Sequence, residues 1–225
     1  VERSRGLGDV YKRQISACFV KEKEIDVYFL GPRGTYSELA CKKNFGNSVN
    51  SLACKTIPEI FETINDENSF GVVPLENSTE GAVNLTLDAL QTTELKICGE
   101  LEMPIKHSLL ASQLNLEKIK SVYGHQQSLA QCKSKLSNLL PKVKIIPVES
   151  SGLALKKAKQ ASSNACIAHE SFASGHKLKV CRRNMEDEKN NTTRFVILGI
   201  NSPLKSGFDK TCLLYTSDAA DDMQC

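Results

Sequence analysis

No stretch of this 225-residue sequence approaches the roughly twenty consecutive apolar residues that a membrane-spanning helix requires, so a membrane partner is not expected. Its nine cysteines contain no C-x-x-C pair. Seven of them (Cys18, Cys41, Cys54, Cys98, Cys132, Cys166 and Cys181) sit mostly inside apolar runs. That pattern reads as buried free thiols in a reducing compartment and argues against a disulfide scaffold. His107, His125, His169 and His176 lack metal-ligand spacing with one another or with a cysteine, so metal catalysis is not expected. The formal net charge of +3 is too mild and too scattered to argue for nucleic acid. Gly-Lys-Ser/Thr is missing from the one glycine-rich turn, which excludes a Walker phosphate loop. No internal repeat or low-complexity tract interrupts the chain.

The two ends stand apart from the rest. Asp9-Val-Tyr-Lys-Arg-Gln14 and Cys212-Leu-Leu-Tyr-Thr-Ser217 can be encoded by complementary strands of one DNA element, which resembles a transposon mosaic end used in sequencing libraries. Residues 1–14 and 212–225 are therefore read as adapter-like and set aside from the fold. The window 15–211 is long enough for one large domain or two small lobes with a buried core.

Within that window, short apolar runs alternate with helical patterns, the mark of an α/β protein. Strands are expected at 26–30, 70–73, 97–103, 119–123, 143–147, 165–168 and 195–198. Helices are expected at 37–44, 58–65, 83–91, 128–140 and 152–160, with Ser37 and Ser151 as N-caps. The stretch 96–110 is expected to cross between lobes and 177–194 to return. This pattern predicts a two-lobed α/β domain, with its second lobe inserted at roughly 104–180 and its ligand in the cleft between.

Four polar segments come after apolar runs and carry the candidate chemistry. Gly31-Pro-Arg-Gly-Thr-Tyr-Ser37 opens a helix, where backbone N–H groups favour an anion, although an ordinary turn explains it equally well and Arg33 reads as a solvated charge. Pro74-Leu-Glu-Asn-Ser78 leaves a strand and presents polar groups, before a helix expected to begin at Gly81. Gly124-His-Gln-Gln-Ser128 opens another helix, with Gln131 one turn beyond Gln127. Asn191-Thr-Thr-Arg-Phe195 places hydroxyls and a guanidinium at the mouth of a buried strand. Arginine suits bidentate capture of a carboxylate, and a threonine hydroxyl can donate to a leaving oxygen. His107 reads as a packing histidine, Cys132 and Cys166 as core, and Lys156, Lys157 and Lys159 as a solvated helix face.

Together, and in this order, FLGPRGTYSELA, VVPLENSTEGAV, VYGHQQSLAQC and NNTTRFVILG resemble the catalytic domain of prephenate dehydratases, from about residue 26 to 199. The resemblance implies two α/β lobes like those of type II periplasmic binding proteins. It implies a lyase reaction without a cofactor, prephenate giving phenylpyruvate, carbon dioxide and water in phenylalanine biosynthesis. By the same carry-over Thr193 is the catalytic threonine, and Asn77, Ser78, Gln131, Arg194, Thr35 and His125 bind substrate. Gly124 stands where some relatives carry serine, which removes any hydroxyl contact there. The resemblance further implies a cytoplasmic protein (or a plastid one in a plant or alga) and a homo-oligomer at full length. Asp209-Lys-Thr211 resembles the lead-in to a regulatory ACT domain, expected beyond the window, and an N-terminal chorismate mutase is open at the other end. Two competing readings are arogenate dehydratase, with the same chemistry on the amino-acid form, and a non-catalytic two-lobed ligand-binding protein.

Overall fold

The computed structural model describes residues 24–202. Both adapter-like ends, Cys18 and the Asp209–Thr211 lead-in lie outside the described residues. The elements in chain order are β1 (Asp26–Leu30), α1 (Tyr36–Phe45), β2 (Asn50–Cys54), α2 (Ile57–Thr63), β3 (Ser69–Asn77), β4 (Gly81–Ala82), α3 (Asn84–Thr92) and β5 (Lys96–Pro104). They continue with β6 (Ser108–Ala111), β7 (Ser121–His125), α4 (Gln126–Ala130), α5 (Lys133–Leu139) and β8 (Lys144–Val148). The last are α6 (Ser151–Gln160), β9 (Asn164–Ala168), β10 (Lys179–Arg182) and β11 (Thr192–Gly199).

Two sheets result, one per lobe. The first has the order β2-β1-β3-β11-β5, with β4 added to β3; the second has the order β10-β6-β9-β7-β8. Strands β1, β2 and β3 are parallel, whereas β11 runs antiparallel to both neighbours. Alternation along β1 explains the layering. Val27 and Phe29 are wholly buried and pack with Ala40 and Cys41 of α1, while Tyr28 and Leu30 pack on the opposite side with Ile57 and Ile60 of α2. In the second lobe, Ala165 and Ile167 of β9 pack on the side of Leu136 in α5, and Cys166 and Ala168 on the side of Leu155 in α6. Each fully buried Phe, Leu or Ile contributes about 1.5–3 kcal/mol, so both lobes have helices holding both sheet faces. Among the described residues no helix is long and apolar enough to cross a membrane.

Several local expectations change, each for a physical reason. Ser37 lies inside α1; Thr35 occupies the N-cap position but its hydroxyl bonds Leu30 O, and the Glu38 carboxylate accepts from Gly34 N instead. Ser150, one residue before the expected cap, accepts from Leu153 N at the start of α6. Gly81, at φ 86°, enters the two-residue strand β4 and delays the helix to Asn84. The single helix expected at 128–140 breaks at Gln131 and Cys132. Its second half has its own cap, because the distant Asp187 carboxylate accepts from Ser134 N and Lys135 N. Strands β2, β4, β6 and β10 are additional to those expected: β2 is a half-polar edge, β4 has two residues, and β6 and β10 have four each.

The lobes meet through bare backbone as well as side chains. A Cβ on Gly34 would lie 2.9 Å from Gly152 Cα at the start of α6, and one on Gly152 would collide with the Arg33 carbonyl. The two connections between the sheets also run side by side, with Ile105 N donating to Asn191 O and Met185 N to His107 O, both at 2.8 Å.

Candidate active site

Strand β11 begins on the lip of the first sheet, and its second residue, Thr193, is paired with Asn77 at the end of β3 and with Met103 on β5. Backbone donors set the polarity of the hydrogen bonds around it. The N–H groups of Thr79 and Glu80 both donate to Asn77 Oδ1, at 3.0 and 3.1 Å, an Asx-type turn. A backbone N–H can only donate, so the amide oxygen must face that turn and Nδ2 must face β11. Its two hydrogens go to Thr193 Oγ1 at 2.8 Å and to Asn191 Oδ1 at 2.7 Å. Thr193 Oγ1 is thus an acceptor toward Asn77, and its own proton is free to be donated elsewhere. Ser78 clips the strand entry in place, accepting from Thr192 N at 2.9 Å and donating to Asn190 O at 3.1 Å.

A cavity of about 320 Å³ opens beside this cluster and is lined from both lobes by Thr79, Ala130, Gln131, Glu186, Asp187, Glu188 and Asn191. Gln131 sits at the break between α4 and α5, and its Oε1 lies 2.9 Å from His107 Nε2. Tyr36, at the start of α1, reaches across from the first lobe. Its hydroxyl donates to Lys106 O and lies 3.3 Å from His107 Nδ1, and its ring stands edge-on to His107 and His169. Two of the three acids of the cavity wall are engaged on the protein side. Glu186, 2% exposed, accepts from His107 N at 2.9 Å and lies 3.5 Å from Lys106 Nζ, while Asp187 caps α5.

Burial sets the protonation of the remaining groups. It pushes the His107 pKa below its ordinary value, against the Gln131 hydrogen bond and the Glu186 charge, so His107 is neutral at pH 7. Burial likewise raises the Tyr36 phenol, with Cys132 and Glu186 adding to it. The Cys41 thiol is pushed up to about 12 by burial and Glu38, and burial raises Cys132 and Cys166 as well, so none of the three is a thiolate nucleophile.

The residues expected from the sequence are thus only partly brought together. Asn77, Ser78 and Thr193 form one hydrogen-bonded cluster, and Gln131 faces the adjoining cavity. Thr35 bonds only its own turn. His125 is half-buried at the end of β7, with no hydrogen bond to the cluster. Arg194 is placed elsewhere: the β11–β5 register is regular from Thr192 to Ile197, so side chains alternate and Arg194 lies on the face opposite Thr193. There it pairs with Glu76 at 3.3 Å, and its Nε is buried without a hydrogen-bond partner among the described residues. Asn191, Tyr36, His107 and Glu186 were not singled out from the sequence as site residues. A tyrosine in a polar helix start was a usable signal for one of them, and the Asn of Asn-x-Thr-Arg-Phe for another.

The chemistry available is a directed hydroxyl donor, Thr193, beside a cavity walled by amides and carboxylates. The prephenate dehydratase family model matches residues 27–203. This chain belongs to the prephenate dehydratase family. Among curated members, it is 37% identical over 210 residues to the bifunctional chorismate mutase/prephenate dehydratase of Aquifex aeolicus, covering 93% of this chain and 58% of that protein. Against the bifunctional protein of Pseudomonas aeruginosa, identity is 39% over 207 residues, covering 91% and 57%. The chain therefore spans less than two thirds of these relatives. A solved prephenate dehydratase from Arthrobacter aurescens, in complex with L-Phe, superposes with a TM-score of 0.72 at 29% identity, covering 81% of this chain and 63% of that one. The two-lobed α/β class expected from the family is the class observed.

Proposed function

We propose that this chain carries out the family reaction, the decarboxylative dehydration of prephenate to phenylpyruvate. The observation that carries the reading is the hydrogen bond from Asn77 Nδ2 to Thr193 Oγ1, which leaves the threonine proton available. In the reaction the bond from the ring to its carboxylate breaks and releases carbon dioxide. The electron pair enters the ring, the bond to the ring hydroxyl breaks, and the departing hydroxide takes a proton from solvent to become water. Aromatisation supplies the driving force, so the protein need only bind two carboxylates, orient the ring and assist the leaving oxygen. Thr193 donates its hydrogen bond to that oxygen, and Gln131 binds the substrate from the second lobe. Asn77 and Ser78 act by holding Thr193 and its strand. Arg194, on the far face, is not assigned to substrate.

Membership of a family of named prephenate dehydratases supports this reading over a non-catalytic binding protein. A reducing, cytoplasmic setting is part of the proposal, in keeping with the six free cysteines among the described residues, as is a homo-oligomer at full length. The test is turnover of prephenate at neutral pH, read as the ultraviolet absorbance of phenylpyruvate in base against an enzyme-free control. Arogenate is run in parallel. Phenylpyruvate formed by the wild type and lost in a folded Thr193→Ala variant is the expected result. Faster conversion of arogenate reassigns the substrate, and saturable binding without product sinks the catalytic reading.

A further inference from the structure

We propose that Asn191 is a substrate-binding residue, its amide nitrogen donating to an anionic oxygen of the ligand in the interlobe cavity. The inference rests on the proposed function for the identity of the ligand, but its geometry stands alone. The orientation of Asn191 is compelled by the chain of donors that runs through Asn77. Thr79 N and Glu80 N fix Asn77 Oδ1, so Asn77 Nδ2 is a donor; Asn191 must answer it with Oδ1, at 2.7 Å. The other end of the Asn191 amide is then Nδ2, with two hydrogens. That nitrogen has no hydrogen-bond partner among the described residues, and it is not one of the sealed, unpartnered polar atoms, although the residue as a whole is only 5% exposed. Asn191 lines the cavity with Gln131 and Thr79. Its backbone is held as well, since Asn191 O accepts from Ile105 N at 2.8 Å.

The electrostatics of the cavity give this donor its importance. The lining residues include Glu186, Asp187 and Glu188 and no Lys or Arg. The guanidinium of Arg194 lies on the other face of the sheet, paired with Glu76. An anionic ligand therefore meets no lining cation, and neutral donors must supply the recognition. Asn191 Nδ2 is such a donor, with a direction set by backbone that cannot reverse. Donation to a charged oxygen is also the stronger kind of hydrogen bond.

Asn191→Asp separates this role from a structural one. An aspartate still accepts from Asn77, so the Thr193 network is kept, but it turns an anionic oxygen toward the cavity in place of the donor. The expected result is a KM for prephenate raised roughly tenfold or more, with kcat within about threefold of wild type. Asn191→Leu removes both ends and should lower kcat as well. An Asn191→Asp enzyme with unchanged KM overturns the proposal, as does an equal loss of kcat in both variants. Two further measurements keep the outcomes distinct. The side-chain amide resonance of Asn77, identified by its disappearance in Asn77→Asp, should keep its wild-type shift in Asn191→Asp, which reports the network without turnover. Equilibrium binding of phenylpyruvate should weaken roughly tenfold in Asn191→Asp. If wild type binds this anion but makes no product, the catalytic reading fails while the binding comparison still decides the role of Asn191.

Discussion

Thr193 and Arg194 are consecutive residues on one strand, yet each belongs to a different half of the first lobe. Thr193 stands on the face of Phe195 and Ile197, is 8% exposed, and receives a hydrogen bond from an amide whose direction is imposed by backbone. Arg194 stands on the face of Val196 and Leu198, with its side chain 38% exposed, and meets the 52% exposed Glu76. One residue is held by a network with a single allowed polarity, and the other by a solvent-screened ion pair worth about 0–1 kcal/mol. Proximity in a motif does not make two residues partners in one site when the backbone is a strand.

The sharpest way to break this contrast is to remove the hydroxyl. Thr193→Ala should lower kcat for prephenate by about 10²–10⁴ while leaving the circular dichroism spectrum and melting temperature close to wild type. Reversing the polarity tests the same point without deleting anything. Asn77→Asp keeps both backbone contacts but presents an acceptor to Thr193, whose proton is then drawn inward, and kcat should fall by roughly 10². A normal rate in that variant would contradict the direction assigned to the bond. Arg194→Met should change kcat by no more than about threefold, and stability in urea by about 1 kcal/mol or less. A loss comparable with that of Thr193→Ala would place the guanidinium back at the substrate.

The smallest effect concerns pH and the buried His107. Folding favours neutral His107, so its folded pKa lies below the ordinary 6.5. The stability this contributes is complete above 6.5 and is withdrawn as the pH falls from there toward the folded value. Urea titrations at pH 7 and pH 5 should show a larger loss for wild type than for His107→Gln. Equal losses would mean that His107 is not the titrating group.

Much of the architecture was legible because alternation and apolar runs are local properties. Strands β1, β5, β9 and β11 are read within two or three residues from pattern alone. What was not legible depends on partners distant in the chain. The break at Gln131 and Cys132 needs Asp187 as a cap, more than fifty residues away, and the short strands β6 and β10 are recognisable only once paired. The site shows the same division. Asn77, Ser78, Gln131 and Thr193 were named from segments, but the roles of Asn191 and His107 depend on contacts across the molecule. Arg194 shares a motif with Thr193, but a strand points its residues both ways and sets the guanidinium beside Glu76.

Strand β11 is the last described strand in the chain yet lies between β3 and β5 in the first sheet. On a ribosome, the first lobe must wait for the whole second lobe to be made before its inner strand arrives. Until then β3 and β5 each present an open ladder edge, and sealing it requires closure over a long intervening loop. Such non-local pairing is slow to form, and an early-folding second lobe that brings the two connections together would shorten the search. The strand that completes the core also delivers Thr193, so a chain with a half-built first lobe lacks the hydroxyl that the proposed reaction uses.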